Sequence, residues 1–396
     1  MPPRISIVAA ICLLMGAGVP VGAAAPAQPN VLFIAVDDLN DWVIGGREGI
    51  HAPNIDRLRA RGTTFMNAHC ASPSCHPSRL AVMTGVRPST SGIDHNVYSQ
   101  KQASWRTGPD SGTGALAKAI VLSQYFRNHG WHAAGTGKIF HGLQWVDGSE
   151  NEPEAWDAYF PSALDQIPLQ VRPDDLIDDK AAGIIGSRPI GGGTDRRGQV
   201  FGAHPLKAPD AKMSDAQVAD WAVAQLRSPP AGKPLFLAVG LFRPHMPWEV
   251  PEKYFALYPL EKIRRPEVRA GDLDDTHGHN RVSWHEWVLA NEEKFQMWQR
   301  MIQGYQASIT FSDAQLGRVV DALDASALAA NTIVVLWSDH GMHFGEKQNW
   351  EKFTLWERST RVPLIVAAPG VAKGASCASP AELLDLYPTL VELCGL

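Results

Sequence analysis

The run Val31-Leu32-Phe33-Ile34-Ala35-Val36, followed at once by Asp37-Asp38, decides the fold. A short unbroken apolar run bounded by polar residues reads as a strand buried on both faces, the signature of a parallel sheet. Three more runs of this kind follow: Leu235–Leu241, Ile333–Trp337 and Leu364–Ala367. Helical patterns lie between them. Pro53–Arg61 is closed by Gly62, Ala115–Asn128 precedes Gly130, and Ser214 is placed to cap a helix to Arg227. Met301–Leu323 is long and amphipathic, and Ala381–Leu393 ends just before Gly395. Strands alternating with helices predict an open α/β sheet with helices on both faces.

In such sheets the ligand sits beyond the carboxyl ends of the strands. The first strand ends in Asp37-Asp38, the strand Ile333–Trp337 in Ser338-Asp339-His340-Gly341, and the strand Leu235–Leu241 is followed by Arg243-Pro244-His245. Acids and histidines therefore converge on one rim, while the fourth run ends in Ala368-Pro369-Gly370 and delivers none. Two adjacent carboxylates raise each other's pKa unless a cation compensates. Hard divalent cations want several oxygen ligands, so a metal is the natural partner. A single Asp in such a place is more often a turn former or a cap.

The rest of the chain sets bounds. It has 396 residues, 45% of them hydrophobic, and a net charge of −5 without a basic excess. This excludes the electrostatic footprint of a nucleic-acid binder. Arg4, the apolar stretch Ile5–Val19 and the small residues Ala23-Ala24-Ala25-Pro26-Ala27 have the layout of a secretory signal peptide over residues 1–27. The mature chain, 28–396, is then expected to be secreted or periplasmic, with no stable membrane insertion after cleavage. Removing Cys12 leaves Cys70, Cys75, Cys377 and Cys394, which could form two disulfides in an exported protein. Cys377 and Cys394 flank one predicted helix, and Cys70 and Cys75 could close a short loop. Residues 146 to 212 and 261 to 291 are rich in Pro, Gly, Asp and Trp and read as insertions over the rim. Within them Asp274, Asp275, His277 and His279 are better explained as a solvated polar loop than as a metal cluster. Trp145, Trp156, Trp248, Trp284 and Trp287 could stack on sugar rings or pack in the core.

The segment Ser74-Cys75-His76-Pro77-Ser78-Arg79 precedes Leu80–Thr84, which is apolar enough to start a helix. A cysteine at a helix N-terminus near an arginine gains thiolate character. Cys75 is thus a reactive thiol or, more blandly, half of a disulfide with Cys70.

Cys75-His76-Pro77-Ser78-Arg79 resembles the C-x-P-S-R signature of type I sulfatases. Further elements follow in that family's order: Asp37-Asp38, Asn54-Ile55-Asp56-Arg57-Leu58, Gly137-Lys138-Ile139-Phe140-His141, Arg243-Pro244-His245-Met246-Pro247, Ser338-Asp339-His340-Gly341 and Trp350-Glu351-Lys352. The Asp339-His340 pair resembles the iduronate-2-sulfatase branch, where many sulfatases carry Asp-Asn. The resemblance runs from about Pro29 to the C-terminus. It implies an alkaline-phosphatase-like fold with a large, mixed, mostly parallel sheet sandwiched by helices.

For chemistry, the resemblance implies that Cys75 is oxidised to formylglycine by a separate generating enzyme. The hydrated aldehyde attacks the sulfur of a sulfate ester, aided by one divalent ion, expected to be Ca2+. The ion would be held by Asp37, Asp38, Cys75 in its oxidised form, Asp339 and His340, with His340 the least expected of these because calcium prefers oxygen. Lys138 and Lys352 would hold the sulfate oxygens, and Arg79 would stabilise the hydrate. His245 would protonate the leaving oxygen, and His141 would take the proton that releases sulfate. The expected substrate is a sulfated sugar.

Rival readings are a zinc phosphodiesterase or phosphatase of the same superfamily, a formylglycine enzyme acting on phosphonate esters, and an inactive secreted carbohydrate-binding scaffold. The first would use a Ser or Thr nucleophile and more metal-binding histidines. The last would be expected to have lost polar site residues. Sulfatases of this type usually continue into a smaller C-terminal subdomain, so a chain stopping at Leu396 is expected to lack it.

Overall fold

A computed structural model describes residues 28–45, 49–96, 105–106, 111–141, 153–160, 202–269, 271–276 and 283–396. The proposed signal peptide, Trp145, His277 and His279 lie outside these residues.

Among the described residues nine strands form one sheet: β1 (Asn30–Val36), β2 (Thr63–His69), β3 (His132–Gly137), β4 (Ala158–Phe160), β5 (Leu235–Leu241), β6 (Thr332–Ser338), β7 (Arg361–Ala367), β8 (Ala375–Cys377) and β9 (Ala381–Glu382). Their order is β8-β2-β7-β6-β1-β5-β3-β4, with β9 also on β2. β1 lies at the centre, parallel to both β5 and β6, and β3 continues in parallel beyond β5. β7 alone among them runs antiparallel, against both β6 and β2. That orientation corrects the reading of its run as a parallel strand. It also explains why its carboxyl end, Ala368-Pro369-Gly370, brings no chemistry: that end is at the opposite edge, and Arg361 at its start faces the rim instead.

The alternation along β1 divides the core. Leu32, Ile34 and Val36 pack with Leu237, Val239 and Leu336 on one face, under helices α1 (Pro53–Arg61), α4 (Ser214–Arg227) and α6 (Met297–Asp324). Val31, Phe33 and Ala35 pack with Phe236, Val335 and Trp337 on the other, under α2 (Cys75–Thr84), α3 (Leu122–Asn128) and α7 (Leu386–Leu393). Every residue of β1, β5 and β6 is buried, which is why these strands read as unbroken apolar runs. Each large side chain in them contributes about 1.5–3 kcal/mol relative to exposure.

Several local expectations change. The predicted helix Ala115–Asn128 forms only over Leu122–Asn128. The Leu116 carbonyl closes a short turn with the Ala119 N–H, and the Leu116 and Ala119 carbonyls both accept from the Arg106 guanidinium. Ala381–Leu393 begins as strand β9 beside β2, tightens into a 3-10 turn and only then becomes α7. Part of the 261–291 insertion is ordered as α5 (Ser283–Ala290), whose Trp284 and Val288 are core residues. No disulfide forms among Cys70, Cys75, Cys377 and Cys394. The Cys70 thiol faces the Ser359 carbonyl, Cys377 sits in β8, and Cys394 is buried in the second core face as a small apolar group.

Candidate active site

The rim at the carboxyl ends of the parallel strands carries a cluster of buried charge. After β1 the chain turns sharply: Asp38 has φ 58, a left-handed conformation uncommon outside glycine. The turn is fixed from three directions. The Asp38 N–H donates to Asp339 Oδ1 at 3.1 Å, and the Leu39 N–H to Ser338 Oγ at 2.9 Å. The Tyr305 hydroxyl, from the middle of α6, donates to the Asp38 carbonyl at 2.7 Å and accepts the Asn40 N–H at 2.8 Å. Both carboxylates are fully buried.

Strand β2 delivers the nucleophile candidate. It ends at the same rim and leads through residues 70–74 into α2, whose first residue is Cys75. Asn96 Oδ1 accepts from both Ser74 Oγ and the His76 N–H, each at 2.8 Å, and so holds the entry to this helix. The Cys75 thiol lies 3.1 Å from His340 Nε2 and 3.4 Å from Lys352 Nζ. Burial raises the pKa of such a thiol, yet Lys138, Lys352 and His340 outweigh it and hold Cys75 well below the ordinary cysteine range.

Strand β3 delivers Lys138. Gly137 has φ +72, and the Lys138 N–H bonds the Gly240 carbonyl at 3.0 Å, an approach so close that a Cβ on Gly240 would fall 2.2 Å from the Lys138 carbonyl oxygen. The lysine ammonium pairs with Asp37 Oδ2. Lys352 arrives from the far side and donates to Asp38 Oδ1 at 2.6 Å. Burial would raise Asp37, but Lys138 and Arg79 bring it well below the carboxylate range. Burial would raise Asp38 too, and His245 and Lys352 more than offset it.

Arg79 is fully buried under this layer. Its Nε donates to Asp339 Oδ2 at 2.8 Å, Nη2 to Asp37 Oδ1 at 3.0 Å, and Nη1 to the carbonyls of Lys138 and Ile139. Its guanidinium therefore ties three strand ends together and reaches residue 75 through its charge rather than through a hydrogen bond. Burial raises Asp339 to about 7 even against Arg79.

His340 Nδ1 bonds the Gly341 carbonyl at 3.0 Å, which leaves Nε2 facing Cys75 and Asp38 Oδ1 at 3.2 Å. Burial depresses this imidazole, but Asp339 and Cys75 win and push it up to about 9. His245 lies on the open side, with Nε2 4.0 Å from Asp38 Oδ2 and Nδ1 against the Met246 carbonyl at 2.6 Å. His141 packs edge-on to His76 with ring centroids 5.6 Å apart. Burial, then Lys138 and His76, hold it well below the usual histidine range, which favours the neutral imidazole.

Ligand atoms of Asp37, Asp38, Cys75 and His340 lie within 4.8 Å of one another, among the described residues the one group of this kind. Asp38 Oδ2 in this group is buried with no hydrogen-bond partner. An orphaned carboxylate oxygen in a dry, acid-rich pocket fits a cation. Asp339 stands just outside the group, its oxygens taken by Arg79 and by the N–H groups of Asp38 and His340. Among the described residues, Asp274 and Asp275 join no such group.

A buried thiol at a helix start, two lysines and a candidate carboxylate–imidazole cation site suit a tetrahedral anionic ester. Residues 29–396 match the sulfatase family, to which the chain therefore belongs, as a sulfuric ester hydrolase. It is 38% identical to a sulfatase of Formosa agariphila over 93% of this chain and 70% of that one. It is 28% identical to human iduronate 2-sulfatase over 98% of this chain and 73% of that one. Among solved structures, a phosphonate monoester hydrolase from Silicibacter pomeroyi matches with TM-score 0.68 at 21% identity over 93% of this chain and 73% of that chain. A protein in complex with its substrate D-glucosamine-2-N,6-O-disulfate matches with TM-score 0.62 at 17% identity, over 93% and 77%. At these identities the structural likeness speaks for the alkaline-phosphatase-like fold.

Of the tryptophans considered for sugar stacking, Trp156, Trp248 and Trp284 are buried in the core, and Trp287 packs partly against it. Among the described residues, Phe353 beside Lys352 is an exposed aromatic that the sequence pattern does not single out. Nothing local in the sequence marks it as exposed.

Proposed function

We propose that this chain removes sulfate from a sulfated carbohydrate, outside the cytoplasm, with residues 1–27 as signal peptide and 28–396 as catalytic region. Residue 75 acts as formylglycine after maturation by a separate generating enzyme, so the Cys75 sulfur stands in for an oxygen of that group. When hydrated, formylglycine supplies a hydroxyl nucleophile, and a bound divalent ion, calcium by the preference of hard cations for oxygen, supplies Lewis acidity. Asp37, Asp38, residue 75 and His340 would hold the ion, with Asp339 behind them.

The observation that carries this reading is residue 75 itself: 1% exposed, at the start of α2, with the His340 imidazole and the Lys352 ammonium both within 3.4 Å. Lys138 and Lys352 neutralise the sulfate oxygens, and their charge is worth most in this water-poor site. Arg79 helps keep Asp37 ionised and aims both Asp37 and Asp339. His245, on the open side next to Asp38, holds the proton for the leaving sugar oxygen. Neutral His141 accepts the proton whose removal frees sulfate. Similarity to iduronate 2-sulfatase supports a sulfated sugar as substrate.

The test is the mass of the peptide containing residue 75, from protein made with a generating enzyme, combined with a panel of sulfated sugars, phosphonate monoesters and phosphodiesters. The expected outcome is the aldehyde or its hydrate at 75. Sulfate should be released from a sugar, activity should fall with a chelator, and calcium should restore it. An unmodified thiol beside an oxidised control sulfatase overturns the formylglycine assignment. Faster turnover of the phosphorus esters overturns the sulfate assignment.

A further inference from the structure

The geometry points to Phe353 as the residue that binds the pyranose ring carrying the sulfate ester, a specificity element on the loop that also delivers Lys352. The inference rests on the carbohydrate reading above. The first observation is distance. Lys352 Nζ is 3.4 Å from the Cys75 sulfur and 5.9 Å from the centroid of the Phe353 ring. Together these put the ring within about 9.3 Å of the reacting position. A sulfate sulfur stands roughly 4 Å from the middle of the pyranose it esterifies, counting covalent bonds. A stacked aromatic face lies about 4 Å above or below that ring. Both steps together fit inside the bound of about 9.3 Å.

The second observation is backbone strain. Among the described residues six non-glycine residues have positive φ, and four of them lie in this loop: Lys347 (54), Gln348 (55), Glu351 (66) and Phe353 (71). An aromatic residue is a costly occupant of the left-handed region, and such outliers collect at binding and catalytic sites. The loop holds Phe353 in that state from both sides. The Phe353 N–H donates to the Pro73 carbonyl at 3.1 Å, which docks it on the segment leading to Cys75. Thr354 points inward, its hydroxyl 2.8 Å from His343 Nε2 and 2.9 Å from Ser359 Oγ.

The third observation is exposure. Phe353 is 49% exposed, with Leu355 and Trp356 beyond it, while among the described residues most large aromatics are buried. A ring shown to solvent beside an anion site suits an amphipathic ligand, charged at one end and with C–H faces along its body. A sulfated pyranose has that form. The Lys352 ammonium then meets its sulfate, and the ring one residue later meets its sugar.

The experiment compares wild type, Phe353→Ala and Phe353→Tyr, each matured with the generating enzyme. The probes are a sulfated monosaccharide that the wild type hydrolyses, and inorganic sulfate as an inhibitor that reads the anion site without a ring. For Phe353→Ala, KM for the sugar should rise about tenfold while the inhibition constant of inorganic sulfate moves less than about twofold. Phe353→Tyr should restore KM, and melting temperatures should agree. An unchanged KM, or equal losses for sugar and inorganic sulfate, overturns the role of Phe353 and leaves the carbohydrate reading intact. A wild type that hydrolyses other sulfate esters but no sulfated pyranose overturns the carbohydrate reading, and this inference with it.

Discussion

Asp37 and Asp41 leave the same strand four residues apart, and they belong to two charge clusters of opposite design. Around Asp37 and Asp38 every charged group is buried: Arg79 is wholly enclosed, and Lys138 and Lys352 are 4% and 5% exposed. One carboxylate oxygen has no hydrogen-bond partner, and the thiol at 75 is held far below its ordinary pKa. Around Asp41 both oxygens are used, Oδ1 by Arg358 at 2.5 Å and Oδ2 by Arg361 at 3.1 Å. Those two guanidinium groups remain about a third open to water. The histidines repeat the contrast. His340 is pushed up to about 9 against burial by its acidic neighbours. His343, three residues on, is lowered by burial to about 4. Buried charge left incompletely satisfied marks chemistry, whereas saturated pairs at the edge of solvent mark structure.

The sharpest way to break this comparison is to remove one cation from each cluster. Lys352→Ala takes away a charge that faces both residue 75 and Asp38. Its loss should lower kcat/KM on a sulfated substrate by about 10²–10³-fold, as for other groups that stabilise transition-state charge in a dry site. Arg361→Ala should change kcat/KM less than about threefold, since Arg361 pairs with Asp41 and Glu357 and touches neither residue 75 nor its lysines. Steady-state kinetics on the two matured variants decides it. Equal losses would dissolve the distinction between the clusters.

The contrast also explains what was legible in the sequence. Asp37-Asp38 and Asp339-His340 could be found because β1 and β6 are buried on both faces and so spell out unbroken apolar runs ending in acids. β2 and β3 are Thr-Thr-Phe-Met-Asn-Ala-His and His-Ala-Ala-Gly-Thr-Gly, with few large apolar side chains. Periodicity passes over them, although they deliver Cys75 and Lys138. Those two residues were reached through the family signature instead. Arg79's place behind the carboxylates is a tertiary fact, because its partners come from β1, β3 and β6. Phe353 was invisible for a similar reason. Nothing local distinguishes an exposed phenylalanine from a buried one when a run of left-handed residues sets its direction.

His343 gives a smaller effect with a defined sign. It is buried, with its Nδ1 lacking a hydrogen-bond partner, and so prefers to be neutral in the folded state. Its pKa is about 4 when folded against an ordinary 6.5. Between these values the unfolded chain binds a proton that the folded chain does not. The stability contributed by the neutral form is therefore complete above pH 6.5 and is lost as pH falls toward 4. From pH 7 to 5 the loss amounts to about 2 kcal/mol. His343→Gln should flatten this part of the profile, as read from urea midpoints at the two pH values with calcium present. An identical slope in wild type and variant would mean that the proton enters elsewhere.

The smallest effect belongs to Asp41. Asp41→Asn leaves the side chain's shape but removes the charge between Arg358 and Arg361. Both arginines keep access to water, and Arg358 also has Glu346 Oε1 at 3.3 Å. Although Asp41 is itself buried, its partners can turn to water, so the stability lost should be about 1 kcal/mol. It should shrink further as salt shortens the reach of the surviving charges. The same substitution at Asp37 would leave Arg79 and Lys138 facing each other in a dry core, where an unpaired charge costs about 3–5 kcal/mol. Urea denaturation of the two variants at low and high salt separates the cases. A salt-insensitive loss of several kcal/mol at Asp41 would place it in the buried network with Asp37, and the boundary between catalytic and structural charge would then have to move outward along the rim.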